Sequence, residues 1–336
     1  MNSAIHRIRT GLVTITGTGA GASVVLALLV LATVFVSIAT PRASLAYRTK
    51  ALRQVFSSTS PPGRTVFATI DMPTFGTALG PFGQPEFTGM NGAVIGPVAN
   101  ALERNIKAVG VPLQPGAQWW GVATAFINAP GASKNVYYGQ TPPKVEIIDR
   151  SKLPKFSRLV AGRMPVKSSA RQFTARFEVA VTTQMAAKFR LKVGSVLTLA
   201  DDQDGAASKI KLVVTGILRT THLNSSFWTV DPNAFKATLN ITQTGAYWLG
   251  GMIISDGEQN NLETALTDSQ MQVTWEYPLD LSHVRANQAA ALNDQLLNGL
   301  TGAGTVKAHV APLALTVQSG LTGALIGFVQ TEAEVG

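Results

Sequence analysis

The sequence predicts an α+β protein: one N-terminal transmembrane helix with a stalk, then a mixed-sheet domain. Three observations predict it. An uncharged apolar run lies near the N-terminus, short strand-like segments alternate with short helices without a strict β-α-β rhythm, and charged residues make up only 14% of the chain, against roughly 25% in a soluble domain. The 336 residues suffice to bury the core of one large domain or two small ones.

The apolar run comes first. No charged residue stands between Arg9 and Arg42, and Ala20 to Ala39 is long enough for a span, which needs about 20 apolar residues. The apolar core exceeds the roughly 7 to 15 residues of a signal peptide, and Thr40-Pro41-Arg42 is a poor cleavage context, so an uncleaved anchor is expected. Basic residues flank both ends: His6, Arg7 and Arg9 before it, Arg42, Arg48, Lys50 and Arg53 after it. Charge alone leaves the orientation open, but long following domains translocate largely regardless of it. The expected layout is a cytoplasmic N-terminus (1–19), a transmembrane helix (20–40), a stalk and linker (41–63), an extracytoplasmic core domain (64–312) and a juxtamembrane segment (313–336), single-pass in the plasma membrane. Gly17, Gly19, Gly21 and Ala22 approximate a dinucleotide fingerprint, but no strand precedes them; close helix packing by small residues explains them better.

Beyond Pro41, Leu45, Leu52 and Phe56 share one helical face, so the stalk reads as a helix from Ala43 to Phe56, broken by the Ser- and Pro-rich run Ser57 to Gly63. Arg64 to Ile70 alternates as a strand, Asp71 to Asn91 has no period and reads as a long loop, and Gly96 to Val109 spaces Val98, Leu102, Ile106 and Val109 as an amphipathic helix. Strands are expected at Trp119 to Ala125, Lys144 to Ile148 and Phe177 to Thr182. A short helix follows at Gln184 to Phe189, then a strand through a glycine turn over Leu191 to Leu199. The polar loop Asp201 to Ser208 turns the chain so that Lys209 to Leu218 pairs back. The last block gives strands at Gly251 to Ser255 and Gln272 to Tyr277, a short helix within Gly257 to Thr267 and a long one from His283 to Leu300.

Composition removes several function classes. The chain has no cysteine, which excludes disulfides, thiolate metal sites and thiol nucleophiles together. The net charge of +9 is scattered singly rather than gathered in a stripe, so no nucleic-acid partner is expected; basic residues beside the span suit anionic membrane lipids instead. The four histidines (His6, His222, His283, His309) form no ligand motif, GxSxG is absent, and no phosphate-cradling GxxxxGK[ST] occurs. Asp201, Asp202 and Asp204 before Gly205 resemble a calcium loop, yet alignment to that pattern puts Ala200 and Lys211 at its first and last ligand positions; a solvated hairpin tip is expected. Asp71, Glu86, Glu146 and Asp149 read as isolated carboxylates. The reading is therefore no enzyme, no catalytic residue, no cofactor and no metal. Trp119, Trp120, Phe227 and Trp228 are the candidate ligand or partner surface, although such pairs more often pack into a core.

Several segments in order resemble the FtsX/MacB-like ABC-transporter permeases of actinobacterial type. They are the span and stalk with Pro41-Arg42 and the linker to Arg64, the turn Leu159 to Pro165 with Gly162-Arg163, and the element Glu178 to Leu199 followed by Leu212 to Leu218. Ser195 stands where that family often has Asp, and Thr183-Gln184 where Ser-Glu is usual. The resemblance implies a MacB-like periplasmic core domain, a cytoplasmic ABC ATPase as partner, a second permease chain, and an exterior domain that couples ATP-driven motion to export or transmembrane signalling. It also implies that Ser319 to Val335 approaches a second span, with fewer apolar residues before Gln330 than crossing requires. The alternative is a membrane-anchored extracytoplasmic module that binds a lipid or peptide without transport.

Overall fold

Asn2–Ser58 form one continuous α-helix of 57 residues, so span and stalk share a single rod that passes through Pro41 unbroken. The computed structural model describes residues 2–72, 92–168, 175–200, 209–243, 245–266, 271–307 and 312–335. The long loop expected after Asp71 and the acidic hairpin tip at Asp201 to Ser208 fall mostly or wholly outside them. The helix is long and apolar enough to cross a membrane. Its apolar side chains from Val25 to Val36 are exposed, Leu31 and Phe35 each at 68%, and none of the described residues covers them. The face changes further along, where Leu52 and Phe56 are buried in the main core.

The chain beyond is mixed α+β. A short 3-10 turn, Pro62–Arg64, ends the stalk and opens β1 (Thr65–Met72). Then come β2 (Trp119–Thr124), β3 (Ile127–Asn128), β4 (Lys144–Arg150), β5 (Ser157–Gly162), β6 (Arg176–Thr182), β7 (Val196–Ala200) and β8 (Lys209–Thr220). The last strands are β9 (Thr238–Thr242), β10 (Gly245–Ile253), β11 (Met271–Pro278), β12 (Thr305–Lys307), β13 (Pro312–Ala314) and β14 (Thr316–Ser319). β7 and β8 form the antiparallel hairpin that alternation predicted.

The main sheet has two parts. In the wing, β14, β1, β11 and β2 are antiparallel neighbours. In the other, β4, β3, β7, β8, β6 and β10 are joined in turn, and β10 pairs in parallel with β4 to close a ring. Alternate residues of the ring strands fall into two cores. Val145, Ile147, Val179, Val181, Leu212 and Met252 belong to the larger one. Ile148, Ala180 and Ile253, facing the other way, join Trp119, Phe227 and Trp228 in the smaller one, as the period of two in a strand requires.

Helices cover the wing on its larger-core side. Gly92–Ala108 contributes Ile95, Leu102 and Ile106, begins a turn earlier than the spacing suggests, and holds Pro97 inside it. The expected long helix from His283 is shorter: a 3-10 turn at Ala286–Gln288, an α-helix only over Ala289–Leu297, then a second 3-10 turn at Gly299–Gly302. The Gln288 side chain accepts a hydrogen bond from the Arg285 backbone N–H at 2.9 Å, which fixes that start. The C-terminal helix, Thr322–Val335, buries Leu325 and Phe328 and meets the stalk at an Arg48–Glu332 ion pair.

Candidate functional site

Two hollows lie on either side of Trp119, and both depend on the smaller core. Phe227 stacks on Phe156 with ring centroids 4.2 Å apart and meets Trp119 and Trp228 edge-on at 5.3 and 4.8 Å. The Trp228 indole N–H donates to the carbonyls of Phe156 and Thr221 at 3.2 and 3.0 Å, locking the segment after β8 onto β5. Of the aromatic residues singled out in the sequence, Trp119, Phe227 and Trp228 thus lie together and buried. Trp120 faces the other side of β2, against the larger core. Adjacent residues of a strand cannot share a face, so these four form no continuous aromatic wall.

The first hollow is a cleft of about 530 Å³ where the stalk meets the domain. Arg53, Arg64, Lys155 and His222 supply its basic lining, and Phe56, Phe156, Trp119 and Leu279 its apolar lining. The only acidic residue among the lining side chains is Asp280. Ser282 donates to the Asp280 carboxylate from its backbone N–H at 3.1 Å and its hydroxyl at 2.6 Å. These bonds hold the Asp280 pKa below the ordinary carboxylate value. Two polar atoms of the lining, Arg64 Nε and Ser225 Oγ, are buried without a hydrogen-bond partner. His222 has φ of 54°, a left-handed conformation that costs a non-glycine residue energy and gathers at functional positions.

The second hollow, about 180 Å³, is lined by Trp119, Gly121, Glu146, Arg150, Asp231 and Thr274. In β4 the residues Glu146, Ile148 and Arg150 share a face, so a glutamate and an arginine stand two repeats of the strand apart, with Ile148 between them. Arg150 donates to the Phe227 carbonyl and, at 2.9 Å, to Asp231 Oδ2, with its guanidinium 5.1 Å from the Trp119 ring centroid. Burial lowers the Arg150 pKa, against the attraction of Asp231, Glu146 and Glu276. Burial pushes the Glu146 carboxyl up to about 9, helped by the charge of Asp231. It pushes Glu276 on β11 up to about 8 and Asp149 to about 7, the latter helped by Asp256. Glu146 Oε1 and Glu276 Oε2 have no partner. Burial thus favours the neutral form of Glu146 and Glu276 beside the Arg150–Asp231 ion pair. Sequence reading took Glu146 as isolated; the alternation of Glu146 with Arg150 was the available signal.

The turn residues behind the family resemblance have local roles. Gly162 has φ of 75°, and a Cβ there would stand 2.0 Å from the Thr215 carbonyl oxygen. Arg163 then pairs with both Glu178 oxygens at 2.6 and 2.5 Å, tying the turn after β5 to β6. Ser195 Oγ accepts from the Lys192 N–H at 2.9 Å, so serine closes this turn as an aspartate would. Among the described residues no group of His, Cys, Asp or Glu is placed to hold a metal. No protein-family model matches the chain, and no curated protein matches it.

Proposed function

We propose that the chain is a permease component of an ABC transporter, FtsX/MacB-like, whose exterior domain receives ATP-driven motion from its membrane helices and passes it to an export or signalling event. One observation carries this reading. β1, which continues the N-terminal helix, is paired along its edge with β14, which runs into the C-terminal helix, and the two helices touch at Arg48–Glu332. Any displacement between the helices enters the sheet through two neighbouring strands, the arrangement a semi-rigid lever needs. The lipid-sized exposed apolar face of the N-terminal helix supports the membrane placement. On this reading the N-terminus is cytoplasmic, the domain is a MacB-like core outside the plasma membrane, and a cytoplasmic ABC ATPase and a second permease chain are the partners. The chain itself catalyses no reaction.

Co-purification from detergent-solubilised membranes tests it. An ABC ATPase recovered with the chain supports the reading; a folded chain that repeatedly brings down none overturns it. The 530 Å³ cleft favours a second reading, an anchored exterior module that binds a lipid or peptide without transport. Ligand binding by a chain that recovers no ATPase is its signature.

A further inference from the structure

We infer that the cleft at the head of the stalk binds a single-chain amphiphile carrying an anionic, phosphate-like headgroup. The inference rests on the cleft itself and stands under either reading above, since it is tested by binding rather than by co-purification. Charge gives the sign of the headgroup. Arg53, Arg64 and Lys155 give the lining its basic side chains, and the single carboxylate among the lining residues, Asp280, is already engaged by Ser282. Hydrogen bonding gives its place. Arg64 Nε is a buried donor and Ser225 Oγ a buried hydroxyl, both unpartnered among the described residues, and a buried polar group left unpaired is unfavourable. An anionic oxygen set between them would accept from both, and guanidinium suits phosphate geometry.

The lining then calls for an apolar portion. Phe56, from the stalk, and Phe156, Trp119 and Leu279, from the domain, face the same space. A volume of about 530 Å³ accommodates a headgroup and one chain segment, not a two-chain lipid. Position excludes direct capture from the bilayer. The stalk residues of the cleft, Arg53 to Ser57, lie 13 to 17 helical residues beyond Thr40 at about 1.5 Å each, so the cleft stands roughly 20–26 Å beyond the expected end of the span. The ligand is an amphiphile that has already left the membrane. Because Arg53 and Phe56 belong to the stalk while the other groups named belong to the domain, occupancy would tie the two together.

The test uses the full chain in nanodiscs, titrated with octyl phosphate, octanol and inorganic phosphate, with empty discs as reference. Tryptophan fluorescence is the readout, since Trp119 lines the cleft. Saturable binding of octyl phosphate is expected, with neither octanol nor inorganic phosphate matching it. The double variant Arg64→Gln, Lys155→Gln should bind about tenfold more weakly, the loss of two charge-assisted contacts. Lys155→Glu, at an exposed position, serves if the double variant does not fold, and should weaken octyl phosphate without changing octanol. Inorganic phosphate binding as tightly as octyl phosphate would mean a free-anion site and overturn the proposal. So would equal binding of octanol, no saturable binding, or folded variants that bind as the wild type does.

Discussion

The wing and the ring of the sheet are built on opposite plans. In the wing, β1 and β11 pair along the whole of β1, from Thr65–Pro278 to Met72–Met271, and β2 continues the ladder without a break. In the ring, two joints are single residue pairs among the described residues, Asn128–Ala200 between β3 and β7 and Ile253–Ala180 between β6 and β10. The ladder is thus continuous through the wing, whereas the ring combines long ladders at β6–β8, β7–β8 and β4–β10 with two joints where side-chain packing must supplement a single pair. The seam between them carries the buried charges: Glu146 and Arg150 on the ring's β4, Glu276 on the wing's β11, and Asp231 bridging from the segment after β8.

Breaking the seam should have the largest effect. Arg150→Ala leaves the half-buried Asp231 without its cation and removes the buried bond to the Phe227 carbonyl; a loss of about 3 kcal/mol, the low end for breaking a buried pair, is expected in denaturant unfolding. Gly162→Ala strikes the ring alone. With φ of 75° and the Thr215 carbonyl oxygen 2.0 Å from the new Cβ, it should cost about 2–3 kcal/mol and lower the melting temperature.

A third prediction separates the seam from both halves by pH. The Glu146 carboxyl is raised from its ordinary 4.5 to about 9. Between these values the folded state holds a proton that the unfolded state has lost, so this group's contribution to stability falls as pH rises and is fully lost above about 9. The slope is at most about 1.4 kcal/mol per pH unit. Glu276, raised to about 8, acts in the same direction over a narrower range. Glu146→Gln should flatten the fall of stability with pH relative to wild type; an unchanged slope would show that Glu146 titrates normally. The smallest effect belongs to the wing's helices: Arg48→Ala, removing a largely exposed ion pair with Glu332, should cost no more than about 1 kcal/mol in stability.

The same division governs how much of the molecule could be read from its sequence. Local patterns were legible: the apolar span, the stalk face of Leu52 and Phe56, and the β7–β8 hairpin each follow from periodicity within a few residues. β5 was not legible as a strand, because Leu159 and Val160 are exposed on it and its alternation is lost. The parallel β4–β10 pairing that closes the ring joins residues about a hundred positions apart, and no local pattern announces it. The candidate sites divide in the same way. Adjacent tryptophans at Trp119 and Trp120 stood out in the sequence, yet a strand sends them to opposite cores. The groups that line the two hollows come from separate segments and only the fold assembles them.

On the proposed function, the stalk and the C-terminal helix move relative to each other when ATP is used. The chain has no cysteine, so Arg48→Cys with Glu332→Cys gives a unique pair for a flexible bismaleimide in membranes. The proposed function predicts efficient cross-linking without ATP and a clear change in yield once ATP is added to membranes that hold a co-purifying ABC ATPase. A yield that is the same with and without ATP would contradict it.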